Sequence, residues 1–379
     1  MKVSVLLPTR NGGAQLAECV HAVLDQDCSE LELVVSDNAN VDQTPEVLAQ
    51  FSGDSRLKVI RSESPLSVAE NWNRALAAAS GDYLLMIGDD DLLLPSFVPT
   101  IRAAVEEYGY LDCITYNAYS FVAPHSLNGD DRAFYSHRHF DFGPEFLSDH
   151  LINESLRRQI VIDLFRFRPR LPLNIQTTVV SRKAYSNLNE PVFRAPFPDQ
   201  FALCGLLLTA ERWLYLDRRL LVIGVSPKSF GHFIYSGQSD AGLAYLGVNA
   251  TFPGRLPGNE LLNGMHRWLT MAFLEYKEHL PEIEVSRRDY VARQIWAWYS
   301  EYRRGIVGGQ ELAKRLRLLG PRDYLGLTRL AFDRDFLNQA WRRLRKRRRT
   351  DLIWPGLRPL PGVETIAAFQ DFIADPADD

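Results

Sequence analysis

Asp89-Asp90-Asp91 follows directly on the short apolar run Tyr83 to Ile87 and sets three carboxylates side by side. Adjacent like charges repel, so such a triplet must be solvated or neutralised. Hard divalent cations take carboxylate oxygens, which makes Mg2+ or Mn2+ a chemical complement to it. An acidic turn capping a helix that starts near Leu92 would use the same residues, since Asp favours turns and N-caps. Other polar groups also stand at the ends of apolar runs. Val3 to Leu7 is closed by Pro8-Thr9-Arg10-Asn11-Gly12-Gly13, and Leu31 to Val35 by Ser36-Asp37-Asn38-Ala39-Asn40. Asp199 follows Ala195-Pro196-Phe197-Pro198 and opens an apolar helical stretch. Side chains delivered at strand ends are what a ligand crevice in an open α/β sheet requires.

The elements that must position these groups are legible as periodicity. Leu16, Cys19, Val20, Val23 and Leu24 share one helical face. Thr44-Pro45 opens a helix, Leu57 to Ile60 is a third strand, and Val68 to Ala79 is a helix before the acidic strand. Short strands alternating with helices predict an α/β fold on a mostly parallel, doubly wound sheet. Neither a Gly-x-Gly-x-x-Gly after the first strand nor a phosphate-binding Walker loop is present in the sequence, so any nucleotide must be held by strand-end side chains and a metal. The 379 residues carry a net charge of −4 and 46% hydrophobic residues, enough for a large core. Four scattered cysteines without metal-type spacing read as reduced, buried thiols. No apolar run nears the roughly 20 residues that span a bilayer. The first apolar run is too short for a signal peptide, so a cytoplasmic protein is expected.

Four blocks in order together resemble the family 2 glycosyltransferases. They are Val5 to Gly12, Val34 to Thr44, Asn71-Trp72-Asn73-Arg74-Ala75-Leu76, and Gly81-Asp82-Tyr83 running into Asp89-Asp90-Asp91 and Pro95. The resemblance covers residues 1 to about 120 well and continues weakly to about 235. It implies a GT-A-type, Rossmann-like mixed sheet flanked by helices. It also implies inverting transfer of a sugar from a nucleotide-sugar donor, usually UDP-linked, with Mg2+ or Mn2+. By the same resemblance Asp37 receives the donor base, Pro8, Thr9 and Arg10 lie over the nucleoside, and Asn73 lines the nucleotide site. Trp72 replaces a residue that is often basic in the family and reads as core. Aligned on Pro95, Asp90 is the metal ligand, Asp91 a second candidate, and Asp89 a ribose or sugar contact. Gly88 stands where many members carry another Asp. Asp199 matches the carboxylate that deprotonates the acceptor hydroxyl, with Glu190 and Glu211 as fallbacks. Lys228, and His232 as a late metal or diphosphate ligand, are further candidates.

The rest of the chain carries weaker signals. Residues 121 to 145 read as a loop over the acceptor side. Its His125, His137 and His139 are either solvated or a zinc site of no standard spacing. Phe146 to Phe167 reads as a helix, and Trp213 to Val225 as strand pairs broken at Asp217-Arg218-Arg219. Arg166, Arg168 and Arg170 face either solvent or an anion. A catalytic domain over 1–255 is expected to precede a helical region over 256–379, whose tryptophans and tyrosines read as helix-packing residues. Basic residues over 342–349 lie within an aromatic-flanked stretch, 336–354. Such a segment suits a peripheral helix on anionic lipid, nucleic acid, or a solvated face. With a transferase, the membrane is the better match, and no nucleic acid is expected. A saccharide or lipid-linked acceptor at the inner face of the membrane, in bacterial surface polysaccharide or glycolipid synthesis, follows from the resemblance alone. The alternatives are a nucleotidyltransferase, which lacks its basic glycine-rich loop here, and a catalytically silent nucleotide-binding protein.

Overall fold

The computed structural model describes residues 1–13, 15–127, 130–139, 146–168, 174–226, 242, 246, 251–281, 283–330 and 356–374. The N-terminal third alternates as the periodicity predicts. Strands β1 (Val3–Thr9), β2 (Leu31–Asp37), β3 (Leu57–Arg61) and β4 (Tyr83–Met86) are interleaved with helices α1 (Gln15–Leu24), α2 (Thr44–Gln50) and α3 (Val68–Ala78). β1, β2 and β4 are buried on both faces and mostly apolar, as in a parallel sheet that helices cover on both sides. α3 begins with a reciprocal cap, the Ser67 hydroxyl accepting from the Glu70 amide while Glu70 accepts from the Ser67 amide.

After β4 come β5 (Leu92–Leu93), α4 (Phe97–Tyr108), β6 (Cys113–Val122), β7 (Ala133–Ser136), β8 (His150–Ile152) and α5 (Glu154–Phe165). A 310 turn (Ile175–Thr177) then leads into β9 (Thr178–Ser181), α6 (Arg182–Ser186), α7 (Pro198–Thr209) and β10 (Trp213–Val225). The C-terminal part holds α8 (Glu260–Glu275), α9 (Arg287–Arg303), α10 (Gly309–Leu316), α11 (Pro321–Leu330), β11 (Arg358–Leu360) and α12 (Ile366–Ala374).

All strands join one mixed sheet, ordered β3-β2-β1-β4-β9-β6-β7-β11, with β10 on the free side of β6. β9 runs antiparallel to both β4 and β6, so those two point the same way, and β10 is parallel to β6. The C-terminal ends of β1, β2, β4, β6 and β10 therefore share one edge. One apolar cluster packs α1 and α4 against one face of the sheet. A second, larger cluster on the other face joins α7 to Trp268, Tyr290 and Trp298 of α8 and α9. Trp268 and Trp298 pack as expected, whereas Tyr299 and Tyr302, also expected to pack between helices, are exposed. All four cysteines are free and buried.

Several expectations need correction. Leu92 and Leu93 form a strand paired with β10, and the helix begins at Phe97, so the acidic triplet caps no helix at Leu92. The stretch 121–145 is not simply a loop. Ala133-Phe134-Tyr135 supplies a strand that pairs with Ser120 to Val122 and is covered in turn by β11. Within 146–167 a strand precedes the helix, because Asn153 caps α5 by accepting the Leu156 amide. Trp213 to Val225 is one strand, whose polar Asp217-Arg218-Arg219 forms an irregularity in the pairing with β6 rather than a turn. His139 is not solvated: its ring bonds the Ser120 hydroxyl at 2.7 Å, and burial pulls its pKa down to about 3.

Candidate active site

The acidic triplet lies at the shared strand edge, where three glycines let backbone approach it closely. A Cβ on Gly224 of β10 would stand 1.8 Å from the Asp90 carbonyl oxygen, so this strand can pass the triplet only as glycine. A Cβ on Gly12 would meet Thr9 Oγ1 at 2.7 Å and Asp89 Oδ2 at 2.8 Å. One on Gly88 would stand 3.0 Å from Asp90 Oδ1 and 3.1 Å from Asp91 Oδ2. Glycine at 88 thus keeps the space between two carboxylates open, where a longer side chain would fill it.

The three carboxylates have separate surroundings. Asp91 is buried and accepts the Gly88 amide (2.6 Å), the Gln176 side-chain amide (2.6 Å) and the Gly224 amide (3.1 Å). It is spent on holding the turn to β10 and to the 310 turn, which Tyr116 fixes by donating to the Gln176 carbonyl at 2.9 Å. Asp89 accepts from the Thr9 hydroxyl at 2.6 Å, tying the turn to the end of β1. Asp90 accepts from Ser226 at 2.8 Å through Oδ2, and its Oδ1 faces the space at Gly88. Burial, then the charges of Asp91 and Asp89, push its carboxyl well above the usual range. Burial also raises Asp91, to about 6, its three N–H donors opposing the shift only in part.

Such a carboxylate is relieved by a proton or a cation. Among the described residues no three His, Cys, Asp or Glu side chains converge as a ready-made metal cage. A Mg2+-like ion takes one or two carboxylates and fills its remaining places with water and phosphate oxygens. Asp90 is the residue that fits, Asp91 being engaged by three donors. Lys228 and His232 lie outside the described residues, as do Arg170 and the whole of 336–354.

The ends of β1 and β2 are knitted into one rim. Thr9 is buried, and Arg10 donates to the Asn38 carbonyl at 2.9 Å. The Asn11 amide bonds the Asn40 side chain, with Asn11 and Ala39 both in the left-handed region. Asp37 is buried at the tip of β2. Its Oδ1 accepts the Asn40 amide at 2.9 Å and its Oδ2 pairs with Arg61 at 3.3 Å, leaving each oxygen a second lone pair. Pro8 precedes this rim, half-buried in β1.

Asn73 stands apart from the rim. Its side chain makes a two-way bond with the Phe193 backbone, accepting at 3.0 Å and donating at 2.8 Å, and donates also to the Ala69 carbonyl. Trp72 packs edge-on to the Phe193 ring at 5.3 Å, as core. The α3 side chains that do reach the end of β2 are Asn71, bonded to Ser36, and Arg74, whose guanidinium donates to the Asp37 carbonyl at 3.3 Å. Residues three apart share a helical face, so the spacing of Asn71 and Arg74 was a usable signal for this pair. Gln176 and Ser226 had no sequence signal, because pairings over 85 and 136 residues leave no local pattern.

Asp199 occupies the first turn of α7 behind Pro198. Burial lifts its carboxyl to about 6, with the Gln200 amide pulling the other way. A carboxyl at about 6 is ionised at neutral pH and can take a proton from a hydroxyl.

Comparison with known proteins places these blocks. Residues 4–164 match the model of Glycosyl transferase family 2. Glycosyltransferase GlyG of Streptococcus pneumoniae serotype 4 is 28% identical over 120 residues, 31% of this chain and 40% of that protein. The GalNAc(5)-diNAcBac-PP-undecaprenol beta-1,3-glucosyltransferase of Campylobacter jejuni subsp. jejuni serotype O:2 is 32% identical over 111 residues, 29% of this chain and 36% of that protein. The matches thus span well under half the length of either relative. Among solved structures, S. aureus TarS 1-349 in complex with UDP superposes with a TM-score of 0.48 at 18% identity, covering 95% of this chain and 96% of that one. Over residues 4–164, from β1 through the acidic turn to α5, the chain is similar to glycosyl transferase family 2.

Proposed function

We propose that the protein is an inverting glycosyltransferase that moves a sugar from a nucleotide-sugar donor, UDP-linked, to an acceptor hydroxyl. The observation that carries this reading is the common strand edge, where Thr9, Arg10, Asp37 and Asp89-Asp90 stand together within the family-matched region. Asp37 and Arg10 at the rim hold the nucleoside, and Asp89, fixed by Thr9, faces the ribose or sugar. A Mg2+ or Mn2+ ion at Asp90 would neutralise the leaving diphosphate as a Lewis acid. Asp199 accepts the acceptor hydroxyl proton as that oxygen attacks the anomeric carbon from the opposite side. The named C. jejuni relative acts on a lipid-linked acceptor, which supports a saccharide or lipid-linked acceptor here.

The test is release of UDP from UDP-glucose and UDP-GlcNAc in the presence of Mn2+. Wild type should release UDP from at least one donor, and Asp199→Asn should lower the rate by roughly 10²-fold or more. Normal UDP binding without turnover of any donor or acceptor would instead identify a silent binding protein.

We also propose peripheral contact with an anionic membrane through the C-terminal helices. Tyr299, Tyr302, Ile306, Leu318, Tyr324 and Leu325 are exposed, and Arg303, Arg304, Lys314, Arg317 and Arg322 are exposed beside them in sequence. The acidic residues of this stretch are paired, Glu301 and Glu311 with Arg315 and Asp323 with Arg287. Net positive charge with interleaved aromatics suits a lipid surface, at about 1 kcal/mol per basic group. Among the described residues no helix is long and apolar enough to cross a membrane. The full chain should sediment with phosphatidylglycerol vesicles and not with phosphatidylcholine vesicles. Equal binding to both, or to neither, contradicts the proposal.

A further inference from the structure

The C-terminal segment 356–374 lies outside the family-matched region, yet it is built into the sheet. β11 pairs antiparallel with β7, placing Arg358 opposite Tyr135 and Leu360 opposite Ala133. α12 buries Ile366 and Phe369 in a cluster with Leu92, Leu94, Phe121 and Val222. Phe369 stacks on Phe121 at 5.5 Å, and Phe372 packs edge-on to Tyr135 at 5.5 Å. Glu18 of α1 accepts the Ala367 amide at 2.9 Å, so an acidic side chain from the N-terminal unit caps the first turn of α12.

Beside this docked segment lies a cavity of about 220 Å3, and the metal-site candidate Asp90 is one of the residues lining it. Asp90 and Ser226 form one wall, Glu18 a second, and Glu364, Thr365 and Ile366 a third. Among the described residues its lining carries three carboxylates and no basic side chain. A bare phosphate would be repelled there, whereas a phosphate carrying its own divalent cation would not.

We propose that residues 356–374 are part of the ligand site, so that a nucleoside diphosphate with its cation at Asp90 also touches Glu364 to Ile366. Ligand binding and docking of the segment then stabilise each other, because coupling between two equilibria is reciprocal. This inference rests on the nucleotide-sugar reading above and adds to it a wall from the far end of the chain.

The test is hydrogen exchange on the full chain with and without UDP and Mn2+, with UDP affinity measured by calorimetry. Amides of β11 and α12 should exchange more slowly with ligand. Phe369→Ser, which undocks α12, should weaken UDP·Mn2+ binding roughly tenfold. Phe372→Ala only thins the aromatic stack away from the cavity, and carries the same test, with a smaller loss, should Phe369→Ser fail to fold. If UDP binds but exchange over 356–374 is unchanged and the variants bind as wild type, the segment is packing alone and the inference is overturned while the nucleotide reading stands. If wild type binds no UDP, the nucleotide reading fails and the inference falls with it.

Discussion

At the scale of single residues, the site is set by how closely backbone and carboxylates approach one another. Gly224→Ala would drive a Cβ into the Asp90 carbonyl, and overpacking of this kind costs about 1–3 kcal/mol or more. A clear fall in Tm is expected, whereas Gly88→Ala, which meets only side-chain atoms of Asp90, Asp91 and Gln176, should leave Tm nearly unchanged and weaken Mn2+ binding. A thermal melt beside a Mn2+ titration separates the two, and equal effects on both would contradict this geometry. Asp199 gives a pH prediction. Its carboxyl sits at about 6 when folded, against about 3.9 unfolded, so the folded state holds the proton more tightly. Its contribution to stability is full below pH 4 and is lost as pH rises through 6. Asp199→Asn should therefore raise Tm at pH 8 and have little effect at pH 4. The wild-type rate should climb up to about pH 6 and level off above it, since the base must be ionised to act. A rate that falls across that window would contradict the assignment.

At the scale of elements, α3 divides its work between two faces. Asn71 and Arg74 hold the end of β2, while Trp72 and Asn73 hold the loop at Phe193 that leads into α7. Asn73→Ala strands the Phe193 amide and carbonyl and should cost about 1–3 kcal/mol. Because that loop leads to Asp199, the variant should also lower the transfer rate while leaving UDP affinity near wild type. A selective loss of UDP affinity would instead return Asn73 to the nucleotide site. What the sequence made legible follows the range of the interactions. β1 to β4, α1 to α3 and the acidic turn were readable because period and caps are local. β7 and β8 were not, since each is a short strand that exists only by pairing with a distant partner, β7 with β6 and β11, β8 with β10. The same reason hid Gln176 and Ser226. Asp90 was singled out by the resemblance aligned on Pro95. Its separation from Asp91 comes from three donors, two of them supplied by residues far along the chain.

At the scale of the whole molecule, the chain closes on itself. Side chains from Leu6 to Leu319 share one apolar cluster, so the helical region packs on the same core as the family domain. Residues 356–374 return to the opposite end of the sheet order from β3. The strand edge bearing Asp37, Asp89 and Asp90 is thereby flanked by distant parts of the sequence, and under the proposed function this edge holds a nucleoside diphosphate through a cation on Asp90. Calorimetric titration of UDP into the full chain, with Mn2+ and with chelator, in wild type and Asp90→Ala, tests it most directly. Wild type should bind UDP with Mn2+ and lose that binding both on chelation and in Asp90→Ala. UDP binding that is equally tight with chelator, or in Asp90→Ala, would contradict it.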